Sequence, residues 1–133
     1  WEENDIPPSF ALEMVSHTPS GEYAEKKGIY QKLGILYYLI YNPEFWQRDR
    51  QQPFELYKLI DGHYVLQVGE PYWMPEVGLG IGRGTYQDGE QTVEALYWFD
   101  KQGQRYQTAE ELLNEQTALL DRYRQKFGEL PSN

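Results

Sequence analysis

Six consecutive residues, Leu36-Tyr37-Tyr38-Leu39-Ile40-Tyr41, offer no charged side to water. A short apolar run of this kind reads as a buried central strand, because both of its alternating faces must be covered. Asn42-Pro43 closes it, since proline cannot continue the ladder. Upstream, Ser9 to Ser16 alternates, with Phe10, Leu12 and Met14 on one face and Ala11, Glu13 and Val15 on the other. A turn at His17-Thr18-Pro19-Ser20-Gly21 follows, Ser20 is placed to cap a helix running to about Leu33, and Gly34 is placed to end it. Strand, helix and strand at this spacing predict a βαβ unit with a right-handed crossover.

Downstream, Phe54–Ile60 and His63–Val68 flank Asp61-Gly62, a two-residue hairpin signal. Glu70 to Pro75 reads as an aromatic, proline-containing connection. A second hairpin joins Val77–Tyr86 to Val93–Phe99 across Gln87-Asp88-Gly89-Glu90, and Asp100 to Gly103 makes another turn. The run Gly78-Leu79-Gly80-Ile81-Gly82 lacks the GxGxxG spacing and the following helix of a phosphate loop, so it reads as a sheet edge or bulge. From Thr108, which forms a capping box with Glu111, a helix extends to about Phe127. Leu112, Leu113, Leu119, Leu120, Tyr123 and Phe127 share one face of it with Gln116 among them, and Gly128 to Asn133 reads as a tail.

With 133 residues and 40% hydrophobic content, the chain can bury one modest core. Its 12 basic and 21 acidic residues leave a net charge of -9, opposite in sign to a diffuse basic surface that grips nucleic acid. No stretch reaches the length of an apolar membrane span, and the first residues lack the pattern of a signal peptide, so a cytoplasmic location is expected. The chain starts at Trp1 and enters a strand-like segment almost at once, as a fragment would. The absence of cysteine excludes disulfides and thiolate zinc sites, which leaves carboxylates as the main metal ligands and favours a hard cation.

Two charges fall where apolar residues are expected. Glu13 sits mid-strand among apolar neighbours. Lys26 lies near the centre of a helical stripe formed by Tyr23, Ile29, Tyr30 and Leu33, with Gln31, Lys32, Glu25 and Gly28 opposite. A strand carboxylate can hold a metal, and a nearby lysine can lower the pKa of an attacking water and offset charge in a phosphoryl transition state. The same two residues could equally form an ion pair without chemistry, and Glu22 with Lys26 could form a helix-surface pair. His17 and His63 read as secondary to these. Arg48, Arg50, Arg83 and Arg105 are the candidate phosphate contacts. Tyr72, Trp73, Tyr97, Trp98 and Phe99 read as packing residues rather than base-stacking ones, because they alternate with aliphatic positions.

The pattern Leu12-Glu13-Met14-Val15-Ser16, then Lys26 with Tyr30, then Gly34-Ile35 and Tyr38-Leu39-Ile40-Tyr41-Asn42-Pro43, resembles the core signature of the Uma-two family of restriction-endonuclease-like proteins. The segments Pro53–Tyr57, Trp73-Met74-Pro75, Leu79–Arg83, Leu96–Asp100 and Gln102-Gly103 resemble its cyanobacterial branch. The resemblance implies a PD-(D/E)XK nuclease fold: an α/β restriction-endonuclease-like mixed sheet with a flanking helix, here lacking its N-terminal strands, plus the long C-terminal amphipathic helix. It also implies that Glu13 is a metal ligand and that Lys26 is a catalytic lysine carried on the helix rather than on the strand. The family's first motif, an aspartate in an earlier Pro-Asp strand, is not found; Pro8-Ser9 is not that motif and Asp5 is a poor substitute. Tyr37 and Asn42 stand where many members carry glutamate and aspartate.

The sequence reading is therefore a truncated nuclease-like domain over 1–107, an amphipathic helix over 108–127 and a tail over 128–133. Its function would be Mg2+-dependent endonucleolytic cleavage of DNA, with the fragment inactive alone. The alternative is a non-catalytic interaction module of the same fold. The C-terminal helix would either dock on its own sheet or pair with a second copy in a homodimer.

Overall fold

The structure is a computed structural model that describes residues 8–15 and 22–128. The expected turn at 17–21, its cap Ser20, His17, Asp5 and the end of the tail lie outside the described residues, as do the side chains of Glu22 and Tyr23.

The element order is β1 (Phe10–Met14), α1 (Glu22–Leu33), β2 (Tyr37–Tyr41), β3 (Phe54–Ile60), β4 (His63–Leu66), β5 (Tyr72–Met74), β6 (Leu79–Asp88), β7 (Gln91–Phe99) and α2 (Ala109–Phe127). One sheet has the order β1-β2-β3-β4 and the other β5-β6-β7. β1 and β2 are parallel and joined through α1, as a βαβ unit requires, while β2, β3 and β4 are antiparallel. The first sheet is thus mixed, and the architecture is the expected nuclease-like α/β one with a C-terminal helix.

All five residues of β2 are buried, which is the outcome demanded by a run with no polar side. Its alternation divides the core in two. Tyr37 and Leu39 meet Leu56, Met74 and Ile81, so the second sheet covers this face. Tyr38 and Ile40 meet Tyr64, with Ala11, Val15 and Tyr30 packed against them, so α1 covers the other. The result is three layers, helix, mixed sheet and antiparallel sheet, with β2 at the centre.

Asp61 and Gly62 both adopt positive φ, 51° and 79°, and make the tight β3–β4 turn whose twist matches the strands. Two expectations need correcting. The connection at Glu70 to Pro75 contains a strand, β5, paired with β6. The glycine run is neither an edge nor a bulge: β6 is the middle strand of its sheet, and a Cβ on Gly82 would lie 3.0 Å from Cα of Pro71 and 3.1 Å from the Phe99 ring. These glycines let a neighbouring backbone and ring approach closely.

The inward face of α1 is also rotated from the expected stripe. Ile29 and Leu33 are exposed, whereas Gln31, placed on the outer face by periodicity, accepts a hydrogen bond from the backbone N–H of Tyr64 at 2.9 Å. Lys27 lies 4.0 Å over the Tyr57 ring. The sheet supplies the apolar bulk here through Tyr38, Tyr57 and Tyr64, so the helix can meet it with long polar side chains.

Candidate functional site

β1 presents Ala11, Glu13 and Val15 toward α1, and Leu12 and Met14, on the opposite face, are exposed. The crossover helix passes over that face and brings Lys26 to Glu13: Lys26 Nζ donates to Glu13 Oε1 at 2.6 Å. The Glu13 side chain is 16% exposed and that of Lys26 38%. The pair therefore sits at the margin of the helix–sheet interface, with the carboxylate largely withdrawn from water and the ammonium half in it. Tyr30, one turn on from Lys26, packs edge-on against Tyr38 with ring centroids 5.0 Å apart. Lys26 thus reaches across elements to Glu13.

Sequence reasoning passed over a second carboxylate on this face. Glu55 is paired through Ile40 with Glu13, so the three residues form one row across β1, β2 and β3. Adjacent strands lie about 4.8 Å apart, which sets the two glutamates about 10 Å apart at the backbone. Glu55 is buried and accepts from the backbone N–H of Gln52 at 3.0 Å and from the Tyr57 hydroxyl at 2.8 Å. The signal was present: Glu55 alternates with Tyr57 and Leu59, the same departure from an apolar face that singled out Glu13.

The opposite face of β2 carries polar contacts of its own. Tyr37 donates to Glu76 Oε1 at 2.5 Å, and Lys58 pairs with Glu76 Oε2 at 2.9 Å. The hydroxyl of Tyr41 donates to Glu94 Oε2 at 2.6 Å. Burial, and then the adjacent carboxylates, push both tyrosines above their ordinary pKa. The hydrogen bond from Tyr37, and then that from Lys58, hold Glu76 at about 2, below its ordinary 4.5. A depressed carboxylate contributes stability above its unfolded pKa that is lost as pH falls through the folded value. The stability difference between wild type and Glu76→Gln is therefore expected to be present at neutral pH and to vanish between about pH 4.5 and about pH 2. Urea unfolding across that range measures it, and a difference independent of pH would contradict the bond from Tyr37. Glu76 is 41% exposed on its side chain, so the effect is small.

The four candidate arginines do not gather at Glu13. Arg83 makes a two-pronged contact with Glu70, at 2.9 and 2.6 Å, Arg105 a two-pronged contact with Glu111, both at 2.7 Å, and Arg48 binds Asp49 at 2.7 Å. Arg50 is exposed in the loop before β3, and His63 is exposed at its hairpin. Phe99 is buried, in line with a packing role, whereas Trp98, edge-on to Phe10 at 5.6 Å, is 40% exposed. An open cleft of about 750 Å³ lies between the β6–β7 hairpin and the first turns of α2, and neither Glu13 nor Lys26 lines it.

Magnesium prefers octahedral oxygen coordination and is usually held by one or two carboxylates together with water and substrate phosphate. Among the described residues no group of three His, Cys, Asp or Glu side chains could hold a metal ion. Glu13 has one oxygen engaged by a cation at 2.6 Å, and Glu55 is held by its own donors. The described residues therefore do not make a magnesium site by themselves.

The parallel βαβ unit within a mixed sheet, backed by a second sheet and followed by a C-terminal helix, is an α/β architecture consistent with a nuclease-like fold. A family model described as "Uma2: Putative restriction endonuclease" matches residues 1–85 of the 133. The chain belongs to the Uma2 family, and the match contains both Glu13 and Lys26. It ends before β7 and α2, so the segments from Leu96 to Gly103 that resemble the family lie outside it. No curated protein and no solved structure matches the chain. No helix among the described residues is long and apolar enough to cross a membrane.

Proposed function

We propose that this protein is a nuclease-like phosphodiesterase component acting on DNA, with Glu13 as a carboxylate facing a divalent cation such as Mg2+ and Lys26 as the adjacent catalytic cation. The observation that carries this reading is the 2.6 Å contact between Lys26 and Glu13 across a parallel βαβ unit, in a chain of the Uma2 family. Residues 1–107 are the nuclease-like body in this reading and 108–127 a separate helix that pairs with a second copy. Among the described residues Glu13 leaves a cation short of ligands, and in this reading these 133 residues do not cleave DNA by themselves.

The test is nicking of supercoiled plasmid in Mg2+ by the protein as its own cell produces it and by its Glu13→Ala and Lys26→Met variants. Cleavage lost in both folded variants supports the proposal. Cleavage that survives Glu13→Ala overturns it. A second reading, a non-catalytic interaction module, is favoured by the carboxylate partners that Arg48, Arg83 and Arg105 already have, together with the net charge of -9. A folded natural protein without metal-dependent cleavage would select it.

A further inference from the structure

α2 begins with a complete capping box, in which the Thr108 hydroxyl accepts from Glu111 N–H and the Glu111 carboxylate accepts from Thr108 N–H. None of its 19 residues is buried. The side turned toward its own body is polar, since Glu111 is clamped by Arg105, next to the bridge between Arg105 and Phe99 at the end of β7. The apolar stripe points away: Leu113 is 63% exposed, Leu119 60% and Phe127 63%. Docking of this stripe on its own sheet is therefore not what the structure contains.

We infer that two copies of the chain pair through α2 in antiparallel orientation about a two-fold axis near Ala118. This rests on the reading above that α2 pairs with a second copy, and it assigns the direction of pairing. Charge supports it. The first half of α2 carries Glu110 and Glu115, besides Glu111 that Arg105 already holds, and no base, whereas the second half carries Arg122, Arg124 and Lys126 with one acid, Asp121. Parallel pairing would set like halves side by side; antiparallel pairing sets each acidic half against a basic one.

Spacing supports it independently. Ala109, Leu113, Gln116, Leu120, Tyr123 and Phe127 follow alternating steps of four and three, the seam of a two-helix contact. Folded antiparallel about Ala118, the seam forms layers of Ala109 with Phe127, Leu113 with Tyr123, and Gln116 with Leu120. In the outer layers the larger aromatic side chain meets a smaller partner. Along one flank Glu110 of one copy comes beside Arg124 of the other, and along the other flank the two Leu119 side chains meet at the axis.

The chain has no cysteine, so introduced cysteines report the arrangement directly. Leu113→Cys and Tyr123→Cys proteins are oxidised separately and as a mixture, alongside sedimentation of wild type and of Leu119→Glu. The expected result is a wild-type dimer at tens of micromolar that Leu119→Glu dissociates, with cross-linked dimer from the mixture and little from either variant alone. Glu110→Lys and Arg124→Glu should each weaken the dimer about fivefold, and the double variant should restore it. Equal cross-linking within each single variant would overturn the antiparallel direction and leave self-pairing standing. A monomeric wild type would overturn both.

Discussion

Leu39→Ala is expected to destabilise the protein by about 3 kcal/mol, the cost of deleting a buried leucine side chain whose surroundings cannot close over the space. Leu39 is fully buried in β2, paired with Leu12 on one side and Leu56 on the other, and packed among Tyr37, Met74 and Ile81. Both sheets contribute to that cluster, so collapse around a cavity would have to move two layers. With total stabilities of about 5–15 kcal/mol for domains of this kind, the loss is a large fraction of the whole. Urea unfolding followed by tyrosine and tryptophan fluorescence should show a midpoint lowered by about 2 M, for a slope of about 1.5 kcal/mol per molar. A change below about 1 kcal/mol would mean that β2 is not the centre of the core.

The second large effect belongs to the candidate site. Lys26→Met should cost about 1–2 kcal/mol, because it leaves the Glu13 carboxylate, 16% exposed, without its 2.6 Å ammonium partner. The figure lies below that of a fully buried pair because Lys26 is 38% exposed and solvent screens the interaction. Glu13→Gln in the Lys26→Met background should recover most of the loss, since a neutral amide needs no counter-charge. A double-mutant cycle on unfolding free energies should then give a coupling of about 1 kcal/mol. Coupling indistinguishable from zero would show that the two groups do not meet in solution, and the assignment of Lys26 to the site would fall with it.

These two experiments separate scaffold from chemistry. Leu39 is itself uncharged and packs in an apolar cluster, so its variant reports packing. Lys26 and Glu13 sit at the edge of the helix–sheet interface, where modest burial makes an ion pair affordable and where a ligand could still reach it. A pair that couples strongly while the protein shows no metal-dependent cleavage would favour the interaction module.

Much of the architecture was legible in the residues. The apolar run of β2 demanded cover on both faces, Asp61-Gly62 marked the β3–β4 hairpin, and Thr108 with Glu111 marked the start of α2. Each is a local signal, in which side-chain chemistry and backbone preference over a few residues suffice. The candidate pair was legible for a related reason: a charge placed on an otherwise apolar face needs a partner, and the parallel βαβ connection brought Lys26 over Glu13.

What local signals could not supply was decided by packing between distant segments. Periodicity put Gln31 on the outer face of α1, but three tyrosines from β2, β3 and β4 fill the space beneath the helix and turn Gln31 inward to the backbone of Tyr64. The glycines of β6 read as edge residues until Pro71 and Phe99, from neighbouring strands and their connections, were seen pressed against them. Glu55 joins the row of Glu13 only through the register of β1, β2 and β3, which no single strand encodes. In α2 the sequence by itself determined the apolar stripe and its opposed charged halves, while the tertiary structure decided that the polar side, through Arg105 and Glu111, faces the body and the stripe faces outward. The physical reason is common to all four: hydrogen bonds and turns are set within a few residues, whereas the direction a face takes depends on which surfaces elsewhere in the chain compete to cover it.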